Sequence, residues 1–246
     1  MIPSLNKHDS LNKNSIKILK IYDREENKKF VGNFFMEVRY DQLKDTSFSN
    51  TNCDANIAIY FSRIGQSPTK EISFKAWYDK SYIPHFGEQT PTICLTNNDV
   101  IIRDNKYKGL RLGTLAFSYI VLWAKQFPHA NIKKISLSDT DAVDEENKER
   151  RNKLYEKIGL RFEYSDSNAK SGNSIDMLAS SLVEINSWNK ISNPVTGNIE
   201  VVNVDDFITK QSNDILNLES ENKNIITKKE RYESWMIIKI INKIRL

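Results

Sequence analysis

The hydrophobic periodicity of this chain changes at Lys108, and that change limits its fold more than any other feature. Downstream, Leu112, Leu115, Ala116, Tyr119, Ile120, Trp123 and Phe127 recur at helical spacing until Pro128 stops the run. Upstream, the segments have strand character. Ser15–Tyr22 is rich in Ile, the run from Asp23 to Lys29 is polar, and residues 30–40 alternate in part, which predicts a hairpin with a long turn. Residues 56–64, with Ile57, Ile59 and Phe61 on one face, and 72–78 are further strands. Residues 92–103 are apolar at both ends and broken at Asn97-Asn98-Asp99, so a strand with a turn or bulge is expected there.

After Pro128, residues 132–137 read as a short buried strand, and residues 138–141 offer caps for a second helix. That helix opens on Asp144-Glu145-Glu146 and continues through Lys148, Arg150, Arg151, Lys153 and Lys157. Acid first and base later suit the helix dipole. Gly159 stands where a left-handed C-terminal cap is expected. Residues 161–164 and 175–185 resume strand character around a polar loop at 165–173. The stretch 186–198, with Pro194 and Gly197, reads as a boundary, and residues 206–246 are mostly helix-compatible. The order predicts an α/β (α+β) domain over residues 15–188, with a mixed, mostly antiparallel central sheet of about six or seven strands and helices on both faces. Residues 1–14 form a polar tail, and residues 189–246 a mostly helical C-terminal extension.

Charge and composition exclude little but point one way. The 36 basic and 32 acidic residues leave a net charge of +4 over 246 residues, too weak to argue for nucleic acid. Cys53 and Cys94 form no CxxC pair and have no spaced His pair, so neither a disulfide framework nor a metal site is expected. The N-terminal stretch has no apolar core of a secretory leader, and no segment approaches the roughly 18 apolar residues of a membrane span. A soluble cytoplasmic protein is the expectation. Near the C-terminus, Trp235-Met236-Ile237-Ile238 and the residues after it are apolar with interspersed base, a surface for packing on its own domain, for a homo-oligomer contact or for lying on a membrane surface.

The segment that carries chemistry runs from Ile101 to Leu115. A strand ends, a loop with Lys106, Lys108, Gly109, Arg111 and Gly113 follows, and a helix begins. The first turn of a helix has unpaired N–H groups and a dipole that favours negative charge. Glycine lets backbone approach a phosphate, and the basic side chains add charge. The same composition also suits an ordinary solvated turn.

This loop resembles the [Arg/Gln]-x-x-Gly-x-[Gly/Ala] signature of the GNAT family of N-acyltransferases. Lys108 stands in the Arg/Gln place, Arg111 in the first Gly place and Gly113 in the second. Tyr107-Lys108-Gly109 is similar to the usual entry and Gly113-Thr114-Leu115 to the usual exit. A second likeness follows at Leu154-Tyr155-Glu156-Lys157-Ile158-Gly159-Leu160-Arg161-Phe162, which resembles the family's Tyr-Glu-Lys-Leu-Gly-Phe. Lys148 and Arg151 occupy places where the family often has Asn and Ala.

The resemblance implies transfer of an acetyl or other short acyl group from acyl-CoA to an amine by direct attack on the thioester. The cosubstrate acetyl-CoA would be held by Arg103, Lys108, Gly109, Leu110, Arg111, Leu112, Gly113 and Thr114. Tyr155 would be the acid that protonates the leaving thiolate, since a phenol and a thiol titrate in similar ranges. Glu71, Glu88, Asp99, Asp139 and Asp141 are open as bases, and Asp139, just after an apolar strand, is the preferred one. The acceptor is unspecified: a small amine, an aminoglycoside-like antibiotic, a protein N-terminus or a lysine. Two other readings stand beside this one, a GNAT-like module without catalysis and a protein-interaction protein acting through its C-terminal region.

Overall fold

A computed structural model gives the fold and describes residues 13–25, 28–42, 55–65, 72–80, 90–96, 101–102, 105–142 and 144–244. Most of the N-terminal tail, Cys53, the Asn97-Asn98-Asp99 break, Arg103 and the carboxylates Glu71, Glu88 and Asp99 lie outside them. The chain divides into two compact units, residues 1–201 and 202–246.

The first unit is built on β1 (Ser15–Tyr22), β2 (Phe30–Gln42), β3 (Ala55–Arg63), β4 (Ile72–Asp79), β5 (Thr92–Cys94), β6 (Ile101–Ile102), β7 (Asn131–Ile132) and β11 (Ile199–Val202). They form one sheet in the order β11-β1-β2-β3-β4-β5-β7, with β6 also on β4. The β1–β2, β2–β3, β3–β4, β4–β5 and β4–β6 pairs are antiparallel. The β5–β7 pair is parallel. This is the mixed, mostly antiparallel sheet the sequence predicts.

Period-two patterning explains the register. Phe34, Met36 and Val38 of β2 share one face with Ile57, Ile59 and Phe61 of β3 and Ile72, Phe74 and Ala76 of β4, and all nine are buried. Helix α1 (Leu112–Ala124) covers this face, with Phe117 meeting Phe74 edge to face at 6.2 Å between ring centroids. Ten of its thirteen residues are buried, more than a one-sided stripe requires, because α2 (Glu145–Lys157) packs on it from another side. Tyr155 of α2 meets Phe117 edge to face at 5.9 Å.

Several local expectations change. The predicted strand at 132–137 divides into β7 and β8 (Ser136–Leu137). β8 joins β9 (Phe162–Tyr164) and β10 (Gly172–Ser174) in a separate three-stranded sheet ordered β8-β10-β9. β10 falls partly in the segment read as a polar loop. The apolar stretch 175–185 is instead irregular around a 3-10 turn at Ala179–Ser181, with Ala179, Leu182 and Ile185 buried three residues apart. The compact unit also runs past the expected boundary at 188, because β11 hydrogen-bonds along β1 at the sheet edge.

The second unit is dominated by one helix, α3 (Val204–Ile244), of 41 residues. No described helix is long and apolar enough to cross a membrane.

Candidate active site

Two parallel chains start side by side and then part. Thr92 pairs with Asn131 and Ile93 with Ile132, and the Lys133 N–H donates to the Ile93 carbonyl at 2.7 Å. Further on, Ile102 is still held by Ile72 of β4, whereas Leu137 has left to pair with Gly172 of the small sheet. The sheet therefore opens as a wedge at the carboxyl ends of its parallel strands, the place where open α/β sheets take ligands. The loop that follows β6 leads through a 3-10 turn at Asn105–Tyr107 straight into α1.

The loop is held from below by apolar anchors. Tyr107, Leu110 and Leu112 are buried, and Tyr107 meets Phe34 edge to face at 5.3 Å. What Leu110 and Leu112 can offer a ligand is therefore backbone. Lys106 lies over the Tyr107 ring, Lys108 is exposed, and Gly109 is left-handed at φ 81°. Arg111 is left-handed as well, at φ 61°, and is the N-cap residue of α1. An L-residue avoids this conformation and glycine does not, so the backbone at 111 has the form the loop signature assigns to Gly. No side chain caps the α1 N-terminus, and its first turn carries no acid. An anion would meet the positive end of a helix dipole without a competing carboxylate on that turn.

Side chains distant in sequence add charge here. Burial lowers the pKa of Arg111, and the positive charge of Arg24 in the β1–β2 turn lowers it further. Partial burial likewise lowers Lys157, with Arg111, Arg24 and Lys153 adding to the effect. The charges that shift both groups are positive and bring together Arg24 of the β1–β2 turn, Arg111 of the loop and Lys157 of α2, while Lys153 is paired with Glu149 at 2.6 Å. One guanidinium nitrogen of Arg111 donates to the Ser187 carbonyl, which fixes the side chain. Lys157 is itself exposed, and nothing local in the sequence brings Arg24 to it.

Asn198 locks the loop to the sheet edge. It is fully buried, and its amide donates to the Tyr22 carbonyl at 2.9 Å and to the Leu110 carbonyl at 3.1 Å. The side-chain oxygens of Asn198 and Ser187 are buried with no hydrogen-bond partner among the described residues. Both belong to residues that grip Leu110 or Arg111.

The predicted site residues are only partly gathered. Gly113 lies under α2: a Cβ built there would meet Leu154 at 3.6 Å and Phe74 at 3.7 Å. A methyl there would make ordinary van der Waals contacts, and a larger side chain would point into the core. Thr114 is half-buried in the same turn. Tyr155 is one residue from Leu154, buried, with its ring against Phe117 and Phe162. Its place is fixed by the end of α2. Gly159 is left-handed at φ 94°, the Gly159 N–H donates to the Glu156 carbonyl at 3.0 Å, and the Leu160 N–H reaches back to the Tyr155 carbonyl at 3.1 Å. Asp139 opens a 3-10 turn at Asp139–Ala142 and is exposed. The cap of α2 is Asp144, which accepts from the Glu146 N–H at 3.0 Å, rather than any of residues 138–141.

Among the described residues, no group of three His, Cys, Asp or Glu side chains is placed to hold a metal ion. No family model matches this chain, and neither a curated protein nor a solved structure does.

Proposed function

We propose that the first unit is an acyl-CoA-dependent N-acyltransferase of the GNAT type. One observation carries the reading: the divergence of β5/β6 from β7/β8 lies ahead of an uncapped, acid-free helix N-terminus beside Arg24, Arg111 and Lys157. A pyrophosphate fits such a donor set, because helix amides, a guanidinium and an ammonium all bind phosphate oxygens. The two motifs that resemble the family flank this same place in the fold.

In this reading the acyl thioester extends from the loop into the wedge. The acceptor amine attacks the thioester carbonyl, a C–N bond forms and the C–S bond breaks. The amine gives up a proton to a base, with Asp139 as the sequence-based candidate, and the departing thiolate takes one from the Tyr155 hydroxyl.

The test is release of free thiol from acetyl-CoA by purified protein across a panel of amines. Amine-dependent release above the background of heat-denatured protein is expected. Binding of acetyl-CoA without release for any amine would instead make the domain a binding module.

A further inference from the structure

We propose that α3 assembles with α3 of a second copy of this chain as an antiparallel two-stranded coiled coil. The proposal is independent of the acyltransferase reading and rests on the spacing of apolar residues along a single helix, whose residues 208–237 are all exposed. Ile208, Ile215, Leu218, Ile225 and Tyr232 are each 55–62% exposed, although all are large and apolar. With Val204 and Met236 they fall on one seam at alternating spacings of three and four, the 3.5-residue period of a coiled coil. Gln211, Asn222 and Lys229 fill the remaining seam positions. The helix is about 60 Å long, and in proteins most of a helix's stability comes from packing its apolar face rather than from intrinsic propensity.

The polar seam positions select the occupant and its direction. A parallel, in-register pair sets Lys229 against its own copy inside the seam and Asp214 beside Glu219 at the rim. An antiparallel pair centred on Ser220 sets Ile215 against Ile225, Ile208 against Tyr232 and Val204 against Met236. It also sets Gln211 against Lys229, so that an amide carbonyl accepts from the ammonium, while Asn222 meets Leu218. At the rim, Asp214 then faces Lys228 and Phe207 faces Trp235. The costs are like charges where Glu219 and Glu221 meet their own copies and Asp205 meets Glu233. These lie at the solvated rim, where such repulsion is weak, whereas two lysines in the seam are desolvated.

The experiment uses the full chain, with Cys53 and Cys94 replaced by Ala, carrying either Gln211→Cys or Lys229→Cys. After oxidation at micromolar concentration, a mixture of the two variants is expected to give the mixed disulfide dimer, and neither variant alone a comparable yield. Cross-linking of each variant with itself at equal or higher yield overturns the antiparallel arrangement. Sedimentation equilibrium of the unmodified chain provides a second reading that needs no variant. A mass twice that of the chain is expected, and Ile225→Asp should weaken the association at least tenfold. A monomer at tens of micromolar overturns the proposal, and so does a monomer that sediments with anionic vesicles, because the apolar stripe then serves a membrane surface.

Discussion

Arg111 carries both a conformational cost and a charge, and the two can be separated. Its left-handed backbone costs an L-residue roughly 1–2 kcal/mol that glycine avoids. Arg111→Gly and Arg111→Ala both lose the guanidinium and its bond to Ser187. The glycine variant is therefore expected to be the more stable by about 1 kcal/mol in urea unfolding, and equal stabilities would mean that residue 111 is not held left-handed. Lys157 gives a prediction of opposite signs. Its pKa is lowered by burial and then by Arg111, Arg24 and Lys153, so folding disfavours its charge and an anion would favour it. Lys157→Met should leave the melting temperature of the free protein unchanged or higher while weakening CoA about tenfold, the worth of one charge-assisted hydrogen bond. The pH dependence follows. Between the lowered value and the ordinary lysine value of about 10.4, the unfolded chain binds more protons, so the free fold gains stability as pH rises. CoA affinity falls over the same window as the ammonium is lost, which calorimetry at successive pH values would detect. At Tyr155, substitution by Phe keeps the ring that packs on Phe117 and Phe162. Turnover should drop by about 10²- to 10⁴-fold, in kcat more than in KM, if the hydroxyl is the acid. A change of only a few-fold would assign Tyr155 to packing.

At the scale of elements, what could be read from the sequence followed amphipathicity. β2 and β4 bury alternate residues, so a period of two marks them, while β1 and β3 also bury adjacent apolar residues, and Gly159 announces the end of α2 because its left-handed cap needs glycine. β10 leaves no such trace: Gly172-Asn173-Ser174 has no apolar face and is a strand only because β8 and β9 pair with its backbone on both sides. β11 was hidden by Pro194 and Gly197, which look like a linker but form the turn that brings Asn198 back to β1. The loop and α1 were legible because their signals are local. The convergence of Arg24, Arg111 and Lys157 was not, because three elements far apart in sequence create it. Asn198 shows how firmly the late element matters to the site. Asn198→Ala would orphan the buried Tyr22 and Leu110 carbonyls, at roughly 1–3 kcal/mol each. A clear drop in melting temperature is expected, together with weaker CoA binding, because the loop loses its tie to the sheet. An unchanged melting temperature would show that the edge strand is dispensable.

For the molecule as a whole, the sheet is antiparallel from β1 to β5 among the described residues, and the parallel pair β5 and β7 diverges beyond Ile93 and Ile132. Helix α1 follows β6 through one short loop, and α2 packs on α1 through Tyr155 against Phe117. The second unit adds a long helix with an apolar seam of its own. The central claim is that the opening receives acyl-CoA by its pyrophosphate. Titration calorimetry of the full chain with CoA and acetyl-CoA tests it most directly, with an Arg111→Glu, Lys157→Glu double variant as the comparison. Saturable heat with one site per chain is predicted for the parent and its loss for the variant, at an unchanged circular dichroism spectrum. No heat and no shift in melting temperature at millimolar ligand, or equal binding by parent and variant, would contradict it.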